Sequence, residues 1–209
     1  MANTLGALYI LSAPSGAGKT SLVKALLAQD LQVCVSVSHT TRTIRTGEVD
    51  GVDYNFVSQQ DFSKLVEQQQ MLEHATVFEN SYGTSRNWVE ASLAQGKDVI
   101  LEIDWQGRDQ VLAIFPAAVA VTILPPSKDA LETRLKGRGT DSDDIIAKRM
   151  SEAHSEISHY AGSHFLVIND DFNDALADLQ CIFTCRRLKT PQQAQKHHQL
   201  LADLLSTGG

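Results

Sequence analysis

The 209 residues, 43% hydrophobic and 21% charged, fit one domain able to bury a core, which excludes a globally disordered chain and a disulfide-stapled scaffold. A net charge of −7 argues against a nucleic-acid binder, and the three cysteines (Cys34, Cys181 and Cys185) lack CxxC spacing and read as reduced thiols of a cytoplasmic protein. Residues 1–11 lack a basic leader and no apolar run nears the roughly 20 residues of a membrane span, so neither a signal peptide nor a membrane partner is expected.

In chain order, residues 8–11 read as a buried strand and 19–29 as a helix with Leu22, Val23, Leu26 and Leu27 inward. A β-branched strand follows over 33–37. From Ser38 to Trp88 the alternation breaks, with strand-like pieces at 54–57 and 75–78 around one helix, 59–70. It resumes with a buried strand at 98–104, a helix at 106–114 and a buried strand at 119–124. Helices at 128–136 and 145–160 then meet at a glycine-flanked turn, 137–140, ahead of a buried strand at 165–168 and a helix at 172–187. The Gln- and His-rich tail beyond Pro191 carries Leu200, Leu201, Leu204 and Leu205 and reads as a terminal docking helix. Alternation of this kind implies an α/β fold, a parallel sheet covered by helices on both faces.

Ser12-Ala13-Pro14-Ser15-Gly16-Ala17-Gly18-Lys19-Thr20-Ser21 lies between the first strand and the first helix. That is the setting of a phosphate-binding loop, where curled backbone N–H groups and a helix N-terminus favour an anion. Lys19 would reach the β- and γ-phosphates and the Thr20 hydroxyl would sit on Mg²⁺. Ala13 stands where the motif begins with glycine, and its methyl group would crowd the turn if φ were positive there. After the second strand, Arg42 and Arg45 lie three apart and Glu48 follows three further on. This suits a phosphate clamp steadied by a carboxylate, and it equally suits a solvated loop of scattered charges.

These motifs, with Ser38-His-Thr-Thr-Arg42, Gly47-Glu48-Val49, Tyr54, Tyr82-Gly83-Thr84, Ile103-Asp104-Trp105-Gln106-Gly107, Gly137-Arg-Gly-Thr140 and Asn169-Asp170-Asp171 in order, resemble the guanylate kinase family over nearly the whole chain. The resemblance implies a three-layer P-loop kinase core (5–37, 97–126 and 163–209), a GMP-binding insertion (38–96) and a helical lid (127–162). It implies ATP:GMP phosphotransfer in purine nucleotide metabolism, with Mg²⁺ as cofactor and ATP at residues 13–21. Arg42, Arg45, Tyr54 and Tyr82 would hold the GMP phosphate, Glu48 would steady the arginines, and Ser38, Glu73, Thr84 and Asp104 would read the base.

The residue types agree with that implication. Guanine offers N1–H and a 2-amino group to a carboxylate such as Glu73, and its O6 accepts from a hydroxyl such as Ser38 or Thr84. A site built on such bonds discriminates by roughly 10⁴–10⁵. Two positions depart from the family: Ile44 stands where proline is common, and Glu102 where an aspartate would support Mg²⁺ through water.

Arg134 and Arg138 lie four apart on one helix face, and Arg149 follows in the next helix, with Asp141 and Ser142 as its cap candidates. Alone they would read as solvated surface; beside a phosphate loop they are expected to close over the triphosphate. The histidines lack ligand spacing, and Trp88 and Trp105 read as packing residues. The rival readings are a kinase of another nucleotide or a phosphorylated sugar, a non-catalytic guanylate-kinase-like binding module, and a regulatory NTPase. No pattern sets an oligomeric state, and dGMP is left open as a second acceptor.

Overall fold

Strands whose successive side chains face opposite ways can bury both faces only between two helical layers. The computed structural model, which describes residues 5–77, 79–137 and 143–206, has this layering. β1 (Leu8–Ser12), β2 (Val33–Val35), β7 (Asp98–Glu102), β8 (Val119–Leu124) and β9 (Phe165–Ile168) form a sheet in the order β2-β7-β1-β8-β9, parallel throughout. Tyr9 and Leu11 point to one face, where α1 (Lys19–Gln29) and α7 (Phe172–Arg187) bury Leu22, Val23, Leu26, Leu179 and Phe183. Leu8 and Ile10 point to the other, against Val89 of α3 (Arg86–Ala94) and Val111 of α4 (Trp105–Ile114). Each such side chain contributes about 1.5–3 kcal/mol when fully buried.

A second sheet, β4-β3-β6-β5, is built from β3 (His39–Thr40), β4 (Asn55–Phe56), β5 (Met71–Val77) and β6 (Asn80–Ser85), with α2 (Gln59–Glu67) beside it. The sequence pattern missed β6 and α3, since Asn80-Ser-Tyr-Gly-Thr-Ser85 is polar and α3 shows the core little more than Val89. The expected helix 59–70 stops at Glu67, and Gln69 follows in the left-handed region at φ 56°. α5 (Lys128–Lys136) and α6 (Asp143–Ser158) share a small core of Leu131, Leu135 and Ala153.

Two expectations need correction. β9 is not a buried strand: it is the sheet edge, with Phe165, Leu166 and Ile168 exposed and only Val167 in the core. The tail forms α8 (Thr190–Lys196) and α9 (His198–Leu205), neither with a buried residue, so Leu204 and Leu205 remain 72% and 81% exposed rather than docked. At the foot of the sheet, Arg187 donates to Asp98 and Asp30, each at 2.6 Å, which ties the ends of α7 and α1 to the start of β7.

Candidate functional site

The carboxyl ends of β1, β2, β7 and β9 open on one side of the sheet, and the expected site residues of the core hang from them. The loop after β1 is fixed from several directions. Gly16 and Gly18 both have φ 93°, a conformation that costs an L side chain roughly 1–2 kcal/mol. A Cβ on Gly16 would meet Leu131 Cδ1 at 3.0 Å, and one on Gly18 would collide with the Asn169 amide. That amide donates to Ala17 O at 2.7 Å, while Ala17 N–H donates to Pro14 O at 3.1 Å. Ala13 is strain-free, because positive φ among the described non-glycine residues is confined to Gln69 and Glu79. Its methyl group packs on the main core instead.

Lys19 opens α1 with its Nζ 3.7 Å from Glu102 Oε2. Ser12 Oγ donates to Ile103 O at 2.9 Å, tying the start of the loop to the β7–α4 turn. Ser15, Thr20 and Ser21 present their side chains to solvent.

Across the site, Arg42 donates from Nη1 and Nη2 to the two oxygens of Glu48 at 3.1 and 2.7 Å. Glu48 also accepts the Arg45 backbone N–H at 2.8 Å. The Arg42 guanidinium, followed by that N–H, holds the Glu48 carboxyl below the ordinary range. Arg42 lies 5.4 Å from the centre of the Tyr54 ring, which meets Tyr82 edge-on at 6.0 Å. Glu48 thus steadies the Arg42 side chain and only the backbone of Arg45, whose side chain is exposed.

Ser38, Tyr54, Glu73, Tyr82, Glu102 and Asp104 line one cleft of about 240 Å³. An adjoining cleft of about 410 Å³ brings in Lys19, Thr20 and Glu48. Glu73 is 5% exposed, and Thr84 Oγ1 donates to its Oε1 at 2.6 Å. Burial, opposed by that bond and reinforced by the Asp104 charge, pushes the Glu73 carboxyl up to about 7. Asp104 caps α4 by accepting Gly107 N–H at 2.9 Å. The structure therefore brings the base-reading candidates together.

The cationic candidates of α5 and α6 line neither cleft. Arg134 Nη2 donates to Asn169 O at 2.9 Å, while its Nη1 is buried without a hydrogen-bond partner among the described residues. Arg149 is half-buried on α6. Arg138, the 138–140 part of the turn, Asp141, Ser142 and Phe78 lie outside the described residues.

Sequence reasoning gave no role to two residues. Asn169, quoted only within a family motif, joins the phosphate loop to α5 through its side chain and its carbonyl; its place directly after a strand of the parallel sheet was the available signal. Glu156 lies seven positions after Arg149, two turns along one helix face. Burial and then the Asp104 charge raise its carboxyl, with Lys19, His159 and Arg108 opposing. Trp105 stacks on His159 at 3.7 Å, and the nearly buried Arg108 donates to His159 O at 2.8 Å, so both fasten α4 to the end of α6. Trp105 is thus a packing residue.

Comparison with known proteins adds four findings. The family model described as guanylate kinase matches residues 6–185. A guanylate kinase of Saccharophagus degradans is 55% identical over 201 residues, covering 96% of this chain and 98% of its own. One of Alkalilimnicola ehrlichii is 56% identical over 200 residues with the same coverage. A crystal structure of guanylate kinase from Anaplasma phagocytophilum superposes with TM-score 0.75 at 30% identity, over 91% of this chain and 90% of that one.

Proposed function

The chain belongs to the guanylate kinase family of nucleoside monophosphate kinases, and from that premise we propose how it transfers the γ-phosphoryl group of ATP to GMP, giving ADP and GDP. The observation that carries the reading is the pair of adjoining clefts: Lys19 and Thr20 open on one, Glu73 and Asp104 on the other, and Ser38, Tyr54 and Glu102 wall both. Donor and acceptor phosphates then meet between Lys19 and the Arg42–Glu48 pair.

In this reading residues 13–21 cradle the ATP phosphates with backbone N–H groups and the N-terminus of α1. Arg42, Arg45, Tyr54 and Tyr82 hold the GMP phosphate. Ionised Glu73 accepts N1–H and the 2-amino group of guanine, Asp104 supports it, and Ser38 and Thr84 donate to O6. The acceptor phosphate is already largely anionic near pH 7, its second pKa being about 6, so no general base is required. Alignment and charge supply the catalysis: Lys19 shifts from Glu102 to the transferring group, in line with the acceptor oxygen. Arg134, whose Nη1 has no partner among the described residues, joins Arg138 and Arg149 in stabilising the charge that develops there. Residues 127–162 act as a lid that excludes water, an alternative acceptor, and 38–96 as the GMP-binding insertion to a core of 5–37, 97–126 and 163–209.

Hard oxygens at Thr20 and Glu102 suit Mg²⁺, which takes one or two protein oxygens and completes its shell with water and phosphate. When bound, Mg²⁺ neutralises charge on the β- and γ-phosphates. Exposed Cys181 and Cys185 are free thiols, which fits a cytoplasmic site of action; no helix among the described residues is long and apolar enough to cross a membrane.

An ADP-release assay with Mg-ATP and GMP, AMP, CMP or UMP at pH 8 tests the reading. Turnover confined to GMP supports it. Preference for another nucleotide overturns the base assignment, and GMP binding without turnover overturns the kinase.

A further inference from the structure

One buried acid decides what the base cleft can hold. Glu73 Oε1 receives the Thr84 hydroxyl at 2.6 Å, and Oε2 stands so close to Gly107 that a Cβ there would lie 2.9 Å away. The titratable groups facing the cleft with it are Glu102 at the end of β7, Asp104 at the cap of α4, and the phenols of Tyr54 and of Tyr82 on the neighbouring strand β6. None of the described lining residues is a lysine, arginine or histidine. A carboxyl walled in by acids and phenols, 5% exposed, binds a proton readily. Its position near 7 accords with this.

The two forms of Glu73 offer opposite hydrogen bonds. Ionised, it only accepts, which matches N1–H and the 2-amino group of guanine. Protonated, it donates through one oxygen, which matches the bare N1 of adenine. The hydroxyls of Ser38 and Thr84 donate or accept by rotating, so they meet O6 of guanine or the 6-amino group of adenine alike. We propose that proton binding at Glu73 converts the cleft from a guanine site to an adenine site and gives this enzyme a second acceptor, AMP, in acid conditions. The inference rests on the assignment of Glu73 to the base under Proposed function.

The test compares kcat/KM for AMP and for GMP with Mg-ATP, on the full chain, between pH 5.5 and 8.5. Both acceptors carry the same phosphate, so its ionisation and every event at the ATP site cancel in the AMP/GMP ratio. One proton separates the two productive forms, so the ratio rises about tenfold per pH unit of acidification, about a hundredfold from pH 8 to pH 6. A ratio independent of pH overturns the proposal, as does undetectable AMP turnover at pH 5.5 while GMP is still phosphorylated.

Glu73→Gln, neutral throughout, flattens the ratio; a variant that keeps the wild-type slope overturns the assignment to Glu73. Calorimetry of the wild-type chain in buffers of different ionisation enthalpy gives a readout independent of turnover. At pH 8 AMP binding takes up about one proton and GMP binding none; equal proton counts overturn the proposal. Absence of turnover with both acceptors at every pH overturns the GMP-kinase reading itself, whereas GMP turnover with a flat ratio overturns the proton gate alone.

Discussion

The loop between β1 and α1 is held by Leu131 and Leu135 beneath Gly16 and by the Asn169 amide against Ala17 and Gly18, whereas the stretch from Arg42 to Asp53 is held by its own carboxylates, Glu48, Asp50 and Asp53. The first is built into the core, with Ala17 fully buried; the second leaves Ile44, Val49 and Val52 more than half exposed. On the proposed assignment two anion-binding loops divide the work. The nucleoside triphosphate would meet a surface shaped before it arrives, so little ordering entropy would be lost on binding. The acceptor would meet a more exposed loop that the carboxylates of Glu48, Asp50 and Asp53 keep in register through backbone N–H groups.

The largest effect expected on this comparison comes from Lys19→Ala. It lowers kcat by roughly 10²–10³, the scale for losing one preorganised charge at the transition state, and leaves GMP affinity intact. Single-turnover ADP formation beside GMP calorimetry checks both, and unchanged turnover would remove Lys19 from the chemistry.

Next comes a matched pair of glycines. Gly18 and Gly47 have nearly the same φ, 93° and 91°, but a Cβ on Gly18 meets Asn169 and one on Gly47 meets nothing within 4 Å. Gly47→Ala is expected to cost only the backbone term, about 1–2 kcal/mol, and Gly18→Ala about 1 kcal/mol or more beyond it. Equal losses in urea titrations would show that the phosphate loop is no more tightly packed than the arginine loop.

Glu73 sharpens the contrast through stability. Its folded pKa, about 7, lies above the ordinary 4.5, so the folded state binds its proton more tightly than the unfolded chain does. The stability this proton supplies is complete below about pH 4.5 and is lost as pH rises through about 7, at a cost of about 3 kcal/mol. Glu73→Gln therefore raises Tm at pH 8 and not at pH 4, while abolishing the preference for GMP. A Tm change equal at both pH values would refute the buried-carboxylate account. In the wild type, KM for GMP climbs about tenfold per pH unit below pH 7.

Smaller effects belong to the exposed loop. Glu48→Gln breaks the charge-assisted pair with Arg42 and raises KM for GMP on the order of tenfold, with kcat and Tm nearly unchanged. Ile44→Pro stiffens the exposed loop and adds about 0.4–1 kcal/mol at most. A lowered kcat in either variant would mean that the loop does more than hold the acceptor.

Much of this was legible in the sequence. The limits of α1, α5, α7, β8 and β9 follow from local periodicity and from breakers beside them, as with Pro125 and Pro126 after β8 or Asp171 capping α7. The candidates proposed to read the base came from family resemblance and from the donor pattern of guanine, and the cleft gathers Ser38, Glu73 and Asp104 with Thr84 behind. β6 was illegible because its polar residues carry no strand signature; long-range pairing with β3 and β5 makes it a strand.

By itself the sequence determined the alternating α/β order, the phosphate loop and the family, since periods of two and 3.6 residues and glycine spacing are properties of neighbouring residues. Only the tertiary structure decided that Asn169, 152 positions from Ala17, would close that loop, and that β9 would lie at the sheet edge. It alone set Glu73 beside Asp104 and shut out the water that would have kept it an ordinary acid. Packing and electric field come from groups far apart in the chain, and no local pattern carries them.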